Sequence, residues 1–283
     1  MDNYLKTSYD LNDNETVSVI DELPLWSAPF GLKLLDKINY RKNITVLDIG
    51  SGLGFPLLEV AMRLGNTCKV YGIDPWEAAV ERIKTKIGIY GITNVEIITG
   101  VAEKIPLPDN SIDLIFSNNG LNNVNDIKSV LGECRRISRT GSQLIFTYNT
   151  DKTMVEFYGV LEEILLEKNM TNEIRLMKEH IFNKRKPVEE FVQLLGEFGF
   201  GINEIAHDSF EYKFVDGSAM LRHFLIALSF VESWKSLISD NHQYEIFDEV
   251  EKRLNESARK NGLLKLTIPF VLIDCVKTEK QIR

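Results

Sequence analysis

Between residues 43 and 148, short apolar runs alternate with longer stretches whose apolar residues recur at helical spacing. The apolar runs are rich in Val and Ile and end in polar or glycine-containing turns, which predicts strands. The five predicted strands cover residues 44–49, 69–73, 95–99, 112–117 and 142–147, and predicted helices cover residues 56–64, 77–87 and 126–137. Strict alternation of strand and helix builds right-handed β-α-β units. We therefore expect an α/β fold with a mostly parallel, doubly wound sheet.

Outside this region the alternation stops. Residues 201–215 and 263–278 are predicted to be extended, which brings the sheet to seven strands. Further helices are predicted at residues 32–38, 152–168 and 187–198, and within an insert at residues 218–260. A polar arm precedes the first of these helices. Because no linker rich in Gly, Ser or Pro interrupts the chain, we expect residues 1–283 to form a single domain.

The most informative stretch is residues 46–56, VLDIGSGLGFP, in which a strand ends at Asp48 and three alternating glycines follow. We call residues 50–54 the glycine loop. Gly50, Gly52 and Gly54 let a ligand approach the backbone, and the next helix adds N–H groups and positive potential. In the nicotinamide fingerprint GxGxxG the third glycine falls where this chain has Phe55, whose ring would prevent the close helix-to-strand contact. The spacing therefore favours a ligand that has both an amino group and a carboxylate. Asp48 is well placed to bind the amino group.

A second acidic residue, Asp74, ends the second apolar run, VYGID, 20 positions after Gly54. A carboxylate at this strand end can accept hydrogen bonds from both hydroxyls of a ribose. The alternative is an Asp that stabilises a turn before Pro75. Trp76 has two open roles, covering an adenine face or packing within the fold.

These motifs resemble those of class I S-adenosylmethionine (AdoMet)-dependent methyltransferases, of the ubiquinone/menaquinone-biosynthesis type. The resemblance covers about residues 40–150. It is carried by Asp48-x-Gly50-x-Gly52-x-Gly54, by Asp74, by residues 100–114 (GVAEKIPLPDNSIDL), by Ser117 and by Glu133-x-x-Arg136.

The resemblance implies a Rossmann-like fold, AdoMet as the cofactor, and a site in which residues 101–103 meet the adenine. The implied cofactor-binding residues are Asp48, Gly50, Ser51, Gly52, Gly54, Asp74, Pro75, Trp76, Ala102, Glu103, Ser117 and Asn118. One departure stands out, because the family usually has Asp where this chain has Val101. Backbone groups or Glu103 would then have to meet the adenine amino group.

Methyl transfer from a sulfonium needs in-line positioning more than acid or base help, so the reaction requires no catalytic dyad. An acceptor hydroxyl or acidic carbon would need a base. The available side chains are His180, His207, His223, Tyr148 and Tyr212, and none is assigned as catalytic. No metal site is expected. Two other functions stay open at this point: a nicotinamide-dependent oxidoreductase and an AdoMet-fold binding protein without catalysis.

Net charge and one absent motif limit the classes of molecule that this chain is expected to bind. A net charge of −8 repels polyanions, and the polar-Pro-Pro-aromatic motif of amino-directed DNA methyltransferases is absent after residue 117. We therefore expect a small-molecule acceptor rather than a nucleic acid. No apolar run approaches the roughly 18 residues of a membrane helix. Since residues 1–11 do not resemble a signal peptide, a cytoplasmic location is expected. The sequence identifies neither the acceptor nor the oligomeric state.

Within the single domain we expect an N-terminal cap (residues 1–42), an AdoMet-binding core (43–150) and a remainder (151–283) that carries helical inserts. Ligands of an open parallel sheet bind beyond the carboxyl ends of its strands, where the later connections also emerge. Residues 23–30, LPLWSAPF, offer apolar surface there. The N-terminal segment and the inserts are therefore predicted to form a lid that orders when ligand binds.

Overall fold

The computed structural model describes residues 4–22 and 25–279. Leu23 and Pro24 of the predicted lid segment lie outside these ranges. The chain divides into two compact units. The core unit comprises Leu11–Asn149, Lys186–Asp208 and Phe270–Arg283, and the helical unit comprises Met1–Asp10, Thr150–Arg185 and Ser209–Pro269.

Within the described ranges, seven strands form one sheet. They are β1 (Thr45–Ile49), β2 (Lys69–Asp74), β3 (Val95–Thr99), β4 (Ile112–Asn118), β5 (Ser138–Asn149), β6 (Phe200–Phe214) and β7 (Leu264–Lys277). Their order is β3-β2-β1-β4-β5-β7-β6. The pairs from β3 to β5 are parallel, whereas β7 is antiparallel to β5. This confirms the predicted seven-stranded, mostly parallel α/β sheet. The strand order reverses between β1 and β4, so their carboxyl ends flank the crevice where such sheets bind ligands.

Helices precede, connect and follow these strands. In chain order they are α1 (Asn14–Asp21), α2 (Ser27–Lys37), α3 (Leu57–Leu64), α4 (Glu77–Tyr90), α5 (Ile127–Ile137), α6 (Val155–Glu167), α7 (Thr171–Lys184), α8 (Val188–Glu197), α9 (Gly217–Arg222), α10 (Phe224–Ile226), α11 (Glu232–Lys235) and α12 (Asp240–Asn261). A π-helical turn, Ala227–Val231, joins α10 to α11. Among the described residues, no helix has the length and apolarity needed to cross a membrane.

The sheet of the core unit is buried on both faces. Val46 packs in one apolar cluster with Leu57 of α3, and its neighbour Leu47 packs in a second cluster with Leu131 of α5. Successive side chains of a strand point to opposite faces, so β1 contributes to both clusters. The near-continuous apolar run of this strand follows from that double burial.

Two helices were not predicted. α1 occupies part of the predicted polar arm, and Asp13 caps it by accepting the backbone N–H of Thr16 at 2.8 Å. Its Val17 is 1% exposed, so the arm buries apolar surface after all. The other missed helix, α7, buries only Met177, which left too weak a periodicity to detect.

The helical unit has its own aromatic core. Trp234 of α11 is fully buried and stacks on Phe157 of α6, with 3.7 Å between the ring centroids. The indole N–H of Trp234 donates to the hydroxyl of Tyr158 at 3.1 Å. These contacts join α6 to the helices of the predicted insert.

Candidate cofactor site

The glycine loop follows β1 and adopts a conformation that side chains disfavour. The φ angles of Gly50, Gly52 and Gly54 are 76°, 49° and 99°, values in the region where a Cβ is penalised. A Cβ on Gly54 would come within 3.2 Å of Ile83 and Leu58, whereas a Cβ on Gly52 would meet nothing within 4 Å. Gly54 is therefore needed for packing, and Gly52 faces open space that a ligand can enter.

Asp48 lies two residues before this loop and is fully buried. Neither carboxylate oxygen has a hydrogen-bond partner among the described residues. Burial raises the pKa of Asp48 well above its usual range, and the nearby charge of Asp74 adds to this effect. An unpaired buried carboxylate is costly, and a cation placed beside it relieves that cost. The chemistry of this position fits the ammonium group of an amino acid.

Asp74 ends β2 and holds the adjoining turn. One of its oxygens accepts the N–H of Gly52 at 2.7 Å, and the other accepts the N–H of Trp76 at 2.9 Å. The turn role and the ligand role are compatible, because each carboxylate oxygen has two lone pairs and keeps one for a ribose hydroxyl. Pro75 stands between Asp74 and Trp76 in this turn. The Trp76 indole N–H donates to the carbonyl of Leu11 at 2.8 Å, so this ring is tied to the N-terminal segment.

The end of β4 lies against the glycine loop. The Ser117 hydroxyl is fully buried and donates to the carbonyl of Ile49 at 2.7 Å. A Cβ on Gly120 would come within 2.6 Å of the same carbonyl, so a glycine is required for this close approach. Sequence reasoning did not single out Gly120, although its position in SNNGLNN was the available signal. The fully buried hydroxyl of Ser117 thus positions the loop.

Asn118 and its neighbours form a polar network at the ends of β4 and β5. Its side-chain nitrogen donates to the carbonyl of Ser27 at 3.0 Å, and its oxygen accepts the hydroxyl of Thr147 at 3.1 Å. The Asn119 side-chain oxygen accepts the N–H of Asn149 at 3.1 Å. These amides hold α2 and the two strands together at the carboxyl ends of β4 and β5.

The predicted adenine segment follows β3. Val101 is 43% exposed and Ala102 is buried. One carboxylate oxygen of Glu103 accepts the N–H groups of Asn125 and Asp126 at 2.8 and 3.1 Å. Glu103 therefore stabilises the start of α5.

The Glu133-x-x-Arg136 motif holds the loop that precedes β4. Glu133 accepts the N–H of Ile105 at 2.7 Å, while Arg136 donates to the carbonyls of Ile105 and Leu107 and pairs with Asp109. Hydrogen bonds from Arg136 lower the pKa of Glu133. The motif is thus a structural clamp that fixes the backbone between the adenine segment and β4.

Sequence reasoning missed a polar link between α1 and the glycine loop. Asp21, at the end of α1, forms ion pairs with Arg82 and Lys86 of α4. Lys86 also donates to the carbonyl of Leu53 in the glycine loop at 2.8 Å. The signals were the i, i+4 spacing of the two cations and the capping residue Asp13. The N-terminal helix is therefore connected to the cofactor loop through one lysine.

The side chains considered as bases have different surroundings. Tyr148 is fully buried against Phe191, and His207 is exposed. Burial raises the pKa of Tyr212. In the helical unit, burial first, and then Arg185 and Lys184, lower the pKa of His180 to about 4, and His223 lies edge-on to Phe214. No catalytic base is assigned.

Comparison with known proteins places this site in a family. A profile of the methyltransferase domain family matches residues 40–249. Demethylmenaquinone methyltransferase from Geobacillus stearothermophilus is 31% identical over 124 residues, which are 44% of this chain and 53% of that protein. The chain spans about half the length of the curated relatives it matches.

Solved structures agree on the fold. The YcgJ protein of Bacillus subtilis has a TM-score of 0.56 at 18% identity, over 89% of this chain and 99% of that one. A SAM-dependent methyltransferase from Aquifex aeolicus has a TM-score of 0.51 at 23% identity, over 69% and 92%. The predictions of fold class, family and AdoMet as the family's cofactor are confirmed. The chain therefore belongs to the methyltransferase domain family, with the fold of the class I AdoMet-dependent methyltransferases.

Proposed function

We propose that this protein transfers the methyl group of AdoMet to a small-molecule acceptor. The observation that carries the proposal is the buried carboxylate of Asp48, which has no hydrogen-bond partner among the described residues and lies beside a glycine loop that is open at Gly52. AdoMet carries an ammonium group at its methionine end, and this group would serve as the counterion of the Asp48 carboxylate. A nicotinamide dinucleotide would bring a negative pyrophosphate to the same place, next to a group that repels it.

In the proposed complex the chain holds the cofactor from three directions. Asp48 pairs with the ammonium group, Asp74 accepts the ribose hydroxyls, and residues 101–103 lie along the adenine. Bound AdoMet supplies a methyl group on a sulfonium, a leaving group that needs no further activation. The contribution of the chain is orientation, because the acceptor must meet the methyl carbon in line with the bond that breaks.

A small molecule is the proposed acceptor. The net charge of −8 opposes binding to a nucleic acid. The relative from Geobacillus stearothermophilus is named for demethylmenaquinone, and its match covers 44% of this chain, which supports the cofactor chemistry without specifying the acceptor. A gel-shift assay with DNA and tRNA tests this part, and a salt-sensitive sub-micromolar shift would contradict it. A cytoplasmic location and the single-domain organisation stay predictions from the sequence.

Calorimetry tests the cofactor assignment. Wild-type protein is expected to bind AdoMet and S-adenosylhomocysteine but not NADH. Asp74→Ala removes two charge-assisted bonds, each worth about 1.5 to 3 kcal/mol, so its affinity for AdoMet should fall at least tenfold. Asp36→Ala is the matched control, since Asp36 is an exposed carboxylate on α2 of the same unit. Equal AdoMet affinity in both variants would contradict the role of Asp74.

Transfer of the labelled methyl group of AdoMet into a metabolite extract tests catalysis. Labelled product identifies the acceptor class by mass spectrometry. Tight AdoMet binding without any transfer to extracts would support the alternative of a binding protein without catalysis.

A further inference from the structure

Arg185 is a buried cation for which the described residues provide no counterion. It lies at the C-terminal end of α7 in the helical unit and is only 4% exposed. Its guanidinium donates one long hydrogen bond, 3.4 Å, to the carbonyl of Thr153, and lies 5.4 Å from the ring centroid of Tyr158. It makes no ion pair with any carboxylate among the described residues. A guanidinium has five N–H donors, so most of its bonding capacity is unused by these partners.

A purely structural role explains this arrangement poorly. Removing a guanidinium from water is costly unless an anion and several hydrogen bonds compensate. The negative end of the α7 dipole and the face of the Tyr158 ring each offset a part of that cost. A neutral side chain would fill the same volume and still pack on the ring. Retaining the charge here is therefore best explained by a group that it binds.

The position of the guanidinium is fixed in advance. Tyr158, whose ring it faces, has its hydroxyl bonded to the buried indole N–H of Trp234 at 3.1 Å. Phe157 packs edge-on against the same tyrosine, with 5.5 Å between the ring centroids. A charged group held in this way loses little further entropy when it binds a ligand.

Two adjacent cations, Lys184 and Arg185, lie at this end of α7. Half-buried His180, one turn earlier on α7, has its pKa lowered to about 4 by burial first and then by the charges of Arg185 and Lys184. Lys184 has no ion pair with a described carboxylate either. Arg175, by contrast, lies on the same helix and pairs with Glu179 at 2.7 Å. Lys184 and Arg185 are therefore neighbouring cations that form no ion pair with the described residues.

We propose that Arg185 is the anchoring residue of an oxyanion site in the helical unit, which takes the phosphate or carboxylate group of a small molecule. A guanidinium recognises both groups by two parallel N–H···O bonds. This site goes beyond methyl transfer and does not depend on the proposed function.

Binding of simple anions tests the proposal. The probes are inorganic pyrophosphate and benzoate, with chloride at matched ionic strength as the reference, and calorimetry on the full chain measures affinity. Arg185→Gln removes the charge, Arg185→Lys keeps it without the paired donors, and Arg175→Gln is the control on the same helix. We expect wild type to bind one of the two oxyanions, and Arg175→Gln to bind that oxyanion with the same affinity. Its affinity should be at least tenfold weaker in Arg185→Gln and intermediate in Arg185→Lys. The preferred probe distinguishes a phosphate ligand from a carboxylate ligand.

A second readout avoids the variants. Because the charge of Arg185 lowers the pKa of His180, an anion bound at Arg185 should raise the pKa of that imidazole, which NMR measures in the wild-type protein. AdoMet affinity, measured in each variant, reports separately on the core unit. Equal oxyanion affinity in wild type and Arg185→Gln, or no effect of either oxyanion on His180 beyond that of chloride, would overturn the proposal. Unchanged AdoMet binding in that case would leave the proposed function standing.

Discussion

Asp48→Asn should make the ligand-free protein more stable and the complex with AdoMet weaker. The carboxylate is fully buried and without a hydrogen-bond partner among the described residues, and Asn has nearly the same shape without the charge. If Asp48 had only a structural role, its replacement would make the protein less stable. If Asp48 serves to bind a ligand, its buried charge destabilises the ligand-free protein, so the substitution should raise stability while it lowers ligand affinity.

The affinity loss follows from the interaction removed. A hydrogen bond to a charged group contributes about 1.5 to 3 kcal/mol, and 1.4 kcal/mol corresponds to a factor of ten. AdoMet should therefore bind roughly 10- to 150-fold more weakly to Asp48→Asn. Calorimetry measures this change directly, and Asp36→Asn on the exposed side of α2 is the matched control.

The stability gain should depend on pH. Burial raises the pKa of Asp48 in the folded state, so the folded protein holds this proton more tightly than the unfolded chain, in which the carboxyl has a pKa of about 3.9. The contribution to stability is complete below that value and is lost as pH rises toward the raised pKa. Above it, ligand-free wild type should be less stable than Asp48→Asn, and at low pH the difference should shrink.

Urea unfolding of ligand-free wild type and Asp48→Asn from pH 4 to pH 8 measures this difference. A variant that is less stable than wild type at neutral pH would refute the reasoning, as would a stability difference that does not change with pH. Retained AdoMet affinity would refute the pairing with the ammonium group.

Three further predictions concern the surroundings of the site. Gly31→Ala places a Cβ 2.3 Å from a ring carbon of Phe55 and should lower the unfolding free energy, measured by chemical denaturation, by about 1 to 3 kcal/mol. The control is Gly159→Ala in α6, where nothing lies within 4 Å of the new Cβ, and this variant should be as stable as wild type or more stable. Lys86→Met removes the ion pair with Asp21 and the bond to the glycine loop, so AdoMet affinity should fall several-fold and α1 should exchange its amide hydrogens faster; unchanged exchange in α1 would contradict the link. The predicted lid should also gain protection from hydrogen exchange around residues 10–30 and in an insert when S-adenosylhomocysteine is added. Protection confined to the glycine loop and Asp74 would rule the lid out.

Patterns within a few residues were enough to predict much of this protein. Alternating apolar runs predicted β1 to β5 and the helices between them, because strand and helix periodicities are properties of neighbouring residues. The glycine loop and Asp48 were equally visible, since a turn that needs positive φ leaves glycines at defined positions. The sequence by itself thus determined the fold class, the family and the position of the candidate cofactor site.

Only the tertiary structure decided which polar groups have partners. The link from Asp21 to Lys86 spans 65 positions, and the contact of Thr153 with Arg185 spans 32. No local pattern encodes such pairs, because whether a charge finds a counterion depends on where distant elements pack. The carboxylate of Glu133 is paired, whereas that of Asp48 has no hydrogen-bond partner among the described residues, and the difference arises from burial and surroundings rather than from the carboxyl groups themselves.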